Sequence, residues 1–142
     1  MKARMIAMFL AIGSASLFGT ALLAQNHNLT ADVPFGFQAG NLKFAPGAYV
    51  ISKTGAVGPL SIMPVATRHA TFITGAFPSM SGKERARLVF RCYGSNRCFL
   101  AEIWSGDAPG SNVPISKAEK DIRNGEPQRE VAAISIDLRR AD

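Results

Sequence analysis

Apolar and polar residues alternate in short runs along most of the chain, with Gly, Pro and Asn between the runs. Alternation with a period of two marks strands that bury one face. The pattern predicts strands near residues 30–38, 48–53, 60–65, 70–75, 87–93 and 98–105, with a last one over 130–138 in "EVAAISIDL". Helical periodicity is nearly absent between Leu29 and Ser105. One helix is expected in "PISKAEKDIRNG". Ser116 can cap it, Glu119 stands at the capping-box spacing, and Gly125 with Pro127 stops it. So short a helix must borrow stability from packing, and Ala118 and Ile122 are its expected apolar contacts.

The stretch "ARLVFRCYGSNRCFLAEIW" reads as a hairpin turning over Gly94-Ser95-Asn96. An unbroken register places Cys92 opposite Cys98, Phe90 opposite Leu100 and Leu88 opposite Glu102. Directly opposed residues lie about 4.5 to 5.5 Å apart between Cα atoms, within disulfide reach. One face then carries Leu88, Phe90, Leu100 and Trp104 with Glu102 among them, and the other Arg85, Arg87, Arg91, Phe99 and Ile103. A one-residue bulge would instead put Glu102 at the surface.

The stretch "VPFGFQAGNLKFAPGAYVI" reads as two strands and two turns. Pro34 near the strand start is compatible with an edge, and Gly40-Asn41 favours a tight turn. Pro46-Gly47 makes a second corner, and Tyr49 directly after it can send its hydroxyl back to a backbone group. These are fold-forming features. Together they predict a mainly β protein of about seven antiparallel strands in a small barrel, with one short helix before the last strand. A two-sheet sandwich is the alternative, because strands read from sequence do not settle closure.

The first two dozen residues break the pattern. Lys2 and Arg4 precede a long apolar run without a charge, the arrangement of a secretory signal. Residues 1–24 are read as that signal, with cleavage after Ala21 or Ala24, and 25–142 as a single exported domain. The rival is an uncleaved anchor, which Gly13, Ser14, Ser16, Gly19 and Thr20 weaken. Removing Lys2 and Arg4 with the leader lowers the formal charge by two, from +6 to +4. That is too mild for a nucleic-acid binder. The two cysteines are expected to form one disulfide in an oxidising compartment, periplasmic or extracellular, and no stable membrane insertion is expected after cleavage.

Few residues suggest chemistry. His27, expected at a ragged N-terminus, and His69, alone at the start of a strand, do not make a metal site with the cysteines. "SMSGKE" lacks the first glycine and the closing Ser or Thr of a phosphate loop, and no serine elbow occurs. No catalytic residue, cofactor or metal is assigned. The basic run of Arg85, Arg87 and Arg91 reads first as a solvated face protecting an edge strand, and otherwise as a site for an anionic surface. Glu102 is the odd residue. Within an apolar face it needs a structural partner such as an Arg or Tyr49. Otherwise it is the polar anchor of a ligand pocket lined by Trp104, Phe90 and Leu88.

Three segments, "VPFGFQAGNLKFAPGAYVIS", "RLVFRCYGSNRCFLAEIW" and "PISKAEKDI", resemble a family of small exported β proteins from acidobacteria and similar soil bacteria. The shared pattern is Val-Pro-Phe-x-Phe, a Pro-Gly-x-Tyr corner, a Phe-x-x-Tyr-Gly hairpin ending near Trp, and Ser-x-Ala-Glu. The resemblance implies a secreted β domain and no particular activity. Cys92 and Cys98 depart from that pattern.

Three functions remain: a non-catalytic structural or interaction domain with an envelope protein as partner, a carrier of a small apolar ligand in a barrel cavity, and last a hydrolase. The intact mass of the exported protein tests the leader and the disulfide together. It should match a chain beginning at Leu22 or Gln25, lighter by the pair of thiol hydrogens lost on oxidation. A mass that retains Met1 or both thiols would refute these two readings.

Overall fold

The computed structural model describes residues 26–54, 58–82, 84–94, 96–125 and 131–140. The expected leader and Pro127 lie outside them. Twelve strands and one helix are seen among the described residues. Five form one sheet: β1 (Asn26–Val33), β4 (Gly47–Thr54), β5 (Leu60–Pro64), β6 (Thr71–Ile73) and the two-residue β12 (Arg139–Arg140), in the order β12-β1-β4-β5-β6. The second sheet runs β11 (Val131–Asp137), β8 (Arg87–Tyr93), β9 (Arg97–Trp104), β10 (Ser111–Asn112), β7 (Phe77–Pro78). The hairpin of β2 (Phe37–Ala39) and β3 (Leu42–Phe44) joins it through a parallel pairing of β2 with β9. The protein is thus mainly β, two sheets around one core, with its short helix before the last long strand.

Strands that change sheet hold the layers together. The single strand expected over residues 30–38 is two strands. Pro34 has no N–H to offer a ladder, and between Val33 and Phe37 the chain crosses from the first sheet to the second. At the other terminus β11 pairs with β8, while Arg139 and Arg140 pair with β1. The Leu138 N–H donates to the Ala86 carbonyl at that crossing (3.0 Å), and the Leu138 side chain is buried. β1 also begins earlier than expected, at Asn26, so His27 lies within the strand, opposite Lys53.

The core is packed at the end where β4 begins. Phe37 stacks on Phe44 (5.0 Å between ring centroids) and meets Tyr49 and Phe90 edge to face at 5.3 and 5.2 Å. Phe35 approaches Phe90 in the same way at 5.1 Å. Such pairs add to the gain from area burial alone. The Gly40-Asn41 turn closes the β2–β3 hairpin in two residues, with Gly40 at φ 59°. The Tyr49 hydroxyl donates to the Ala45 carbonyl, so the corner expected at Pro46-Gly47 is tied as the sequence suggested.

The register of the β8–β9 hairpin corrects the sequence reading. Cys92 faces Cys98 and forms the disulfide, with Cα atoms 4.0 Å apart, and Phe90 faces Leu100. Beyond that point Val89 faces Glu102 and Leu88 faces Ile103, so Ala101 is an extra residue in β9. Each later side chain therefore moves to the opposite face. Ile103 enters the core instead of Glu102, and Trp104 leaves the face of Leu88 and Phe90. The shift spares the core a carboxylate, which would be costly to bury without partners.

The helix α1 (Lys117–Gly125) begins and ends as expected, and the Glu119 N–H donates to the Ser116 hydroxyl at 3.2 Å. Its anchoring is different. Ala118 is exposed and Ile122 half-buried, whereas Glu119 is 1% exposed. The Glu119 carboxylate reaches Arg91 and Tyr93 on β8, so α1 is held against the outer face of that strand rather than across a barrel end. A first-turn carboxylate is also favoured by the helix dipole.

Tyr49→Phe keeps the ring packing and removes only the corner hydrogen bond. It should lower stability by about 1 kcal/mol, read as a lower urea midpoint at unchanged slope. An unchanged midpoint would show that the corner is held by ring packing alone.

Candidate functional site

The inward side chains of β4 follow one another as Tyr49, Ile51 and Lys53. Tyr49 belongs to the aromatic cluster, and Ile51 continues the core. Lys53 ends the series at a cleft between the two sheets. The cleft has a volume of about 160 Å3 and apolar walls from Leu29, Ile51, Leu60 and Ile103. All four walls are at most 7% exposed. The loop after β9 completes the mouth with Asp107 and Ala108.

Lys53 spans the gap. Its ammonium donates to the Ser111 hydroxyl of β10 in the facing sheet, at 2.9 Å. Ser111 is 4% exposed, one of the few polar side chains in the interior. Burial pushes the Lys53 ammonium below the usual lysine range. A smaller void of about 70 Å3 shares Lys53, Leu60 and Ser111 with the cleft and runs toward Phe77. Sequence reasoning did not single out Lys53. The signal was available, because the alternation of "AYVISK" puts it on the same face as Tyr49 and Ile51.

The residues proposed from sequence for a ligand pocket are not brought together there. Leu88 and Phe90 are core, 1% and 0% exposed, and line no part of the cleft. Glu102 and Trp104 lie on the other face of β9, beside one another, with the Trp104 indole N–H donating to the Glu102 carboxylate at 2.8 Å. Gly110 lies flat against the indole, where a Cβ would come within 2.6 Å of the ring. Among the described residues the hydrogen-bond partner of Glu102 is thus Trp104, where an Arg or Tyr49 was expected. Ile103, between them in sequence, is the residue that faces the cleft.

Arg85, Arg87 and Arg91 each meet a carboxylate. Arg85 pairs with Asp137 at 2.9 Å, with both side chains well exposed. Arg87 pairs with Glu84 and lies 5.8 Å from the centre of the Trp104 ring. Arg91 donates to both oxygens of Glu119, at 2.6 and 3.1 Å, and the Tyr93 hydroxyl donates to the same carboxylate at 2.9 Å. The hydrogen bond to Glu119 raises the Arg91 pKa further. β8 is paired on both sides, so these residues do not guard an edge, and Arg85 precedes the strand. His69 is exposed ahead of β6 and lines neither the cleft nor the smaller void. Among the described residues no three His, Cys, Asp or Glu side chains gather as metal ligands would.

No protein-family model, characterised protein or solved structure matches this chain.

The two tyrosines offer a test of the electrostatics. Burial raises both phenols above the ordinary 10.0, and for Tyr93 the hydrogen bond to Glu119 adds to the effect. A raised folded pKa means that the native protein keeps protons which the unfolded chain loses. The stabilisation is therefore complete below pH 10.0 and is lost as pH rises through the folded values. The urea midpoint should fall above pH 10.0, and tyrosinate absorbance should appear only with unfolding. Tyrosinate forming near pH 10.0 while the circular dichroism stays native would contradict the burial of both rings.

Proposed function

We propose that the chain is an exported, non-catalytic binding domain that holds a small apolar ligand in the cleft between its sheets. The cleft carries this reading: four buried apolar walls with a few polar groups at one end are the composition of a ligand site. Its volume is of the order of a protein cavity that accepts benzene, so the ligand is small. Export is supported by the signal-like leader and by the disulfide, which persists in oxidising compartments. The resemblance to small exported β proteins points the same way. Among the described residues no helix is long and apolar enough to cross a membrane.

A second reading, contact with an envelope protein, draws on the short edge strand β7, where Phe77 and the nearby Met80 are exposed. Native mass spectrometry of the protein from its own periplasm or medium separates the two. The proposal expects an added small mass that organic extraction removes. Ala108→Trp, which fills the mouth from the loop, should abolish that mass. A bare native mass in several preparations, or an adduct unaffected by Ala108→Trp, would reject the cleft as a carrier site and favour the protein partner.

A further inference from the structure

Lys53 has a peculiar position. It stands at the end of an apolar cleft, is partly desolvated, and among the described residues has a hydroxyl rather than a carboxylate as its hydrogen-bond partner. Arg85, Arg87 and Arg91 by contrast each have an anion beside them. Desolvating a cation even in part is costly unless a polar or anionic partner offsets it. An ordinary core would place an apolar residue after Tyr49 and Ile51. The lysine therefore places a partly desolvated cation beside the apolar walls, with Ser111 as its hydrogen-bond partner and the Asp107 carboxylate lining the same cleft.

We infer that the cleft takes a small amphiphile with one apolar end and one carboxylate, the apolar end against Ile51, Leu60 and Ile103 and the carboxylate at Lys53 and Ser111. This inference rests on the cleft being a ligand site and adds the chemical class. The donors present match the head group. An ammonium and a hydroxyl satisfy a singly charged, two-oxygen group, whereas a phosphate monoester carries more charge and more acceptor oxygens than they can meet. A carboxylate at Lys53 would favour the charged form of the lysine, which burial disfavours. Asp107 also lines the cleft. The volume admits a chain of hexanoate size or a benzoate ring, and not a long fatty acid.

The test compares hexanoate, 1-hexanol and hexyl phosphate in nuclear magnetic resonance titrations of the oxidised mature protein, following the amides of Ile51, Leu60 and Ile103. Hexanoate should bind about tenfold more tightly than 1-hexanol, the contribution of one charge-assisted hydrogen bond. Hexyl phosphate should bind less tightly than hexanoate. Lys53→Met should bring hexanoate down to the level of the alcohol or below it while leaving the alcohol unchanged. Lys53→Arg should keep the preference for the acid. The native spectrum of each variant is checked first, and if Lys53→Met does not fold, Lys53→Gln takes its place beside the Arg variant. Equal binding of acid and alcohol, or a preference for hexanoate that survives Lys53→Met, overturns the carboxylate assignment and leaves the cleft as a neutral apolar site. A preference for hexyl phosphate replaces the carboxylate with a phosphate head. If none of the three shifts the cleft amides, the ligand site itself is wrong.

Discussion

β9 is longer by one residue than the segment of β8 that it faces, and most of the distinctive geometry follows from that mismatch. The disulfide between Cys92 and Cys98 fixes the register at the turn end of the hairpin. The extra residue, Ala101, must therefore be absorbed further along, where it reverses the facing of Glu102, Ile103 and Trp104. Had the alternation continued, a carboxylate would stand in the core beside Leu88 and Phe90. With the bulge, Glu102 satisfies an indole N–H on the outer face, and Ile103 becomes one wall of the cleft.

The two faces of this sheet carry different physics. The inner face is apolar and continuous with the aromatic cluster of Phe35, Phe37, Phe44, Tyr49 and Phe90. The outer face is held by charge. Arg91, Tyr93 and Glu119 converge where the helix meets the strand, and Arg87 lies over Trp104. A helix of nine residues has little stability of its own, so a buried, fully partnered carboxylate serves where a larger helix would use an apolar stripe. Glu119 also shows why a capping-box spacing is half a statement about contacts. Ser116 accepts from the Glu119 N–H as that motif requires, while the carboxylate goes to another element.

The cleft exists because the two sheets are joined by chain crossings at Pro34 and Leu138 while the aromatic packing fills only part of the space between them. At the far end of β4 the facing side chains are Lys53 and Ser111, smaller in apolar area than the rings at the other end, and they bridge the gap instead of filling it. The bridge ties the two sheets at one end of the apolar cleft, and under the carrier proposal its ammonium is the group that a ligand would meet.

Much of this was legible from local chemistry. Period-two alternation, the Gly40-Asn41 turn, the Tyr49 corner, the Ser116 cap and the opposition of Cys92 to Cys98 are decided by residues close in sequence, so the chain itself determined the strands, the helix and the disulfide. Alternation even placed Lys53 on the inward face, although it did not show what lay opposite. The tertiary structure alone decided the bulge at Ala101, the burial of Glu119 against β8 and the meeting of Lys53 with Ser111, 58 residues apart. In each case the outcome depends on partners carried by other elements. The choice falls to long-range terms, the cost of an unpartnered charge in the core and the fit of one sheet against the other, which no short stretch of sequence contains.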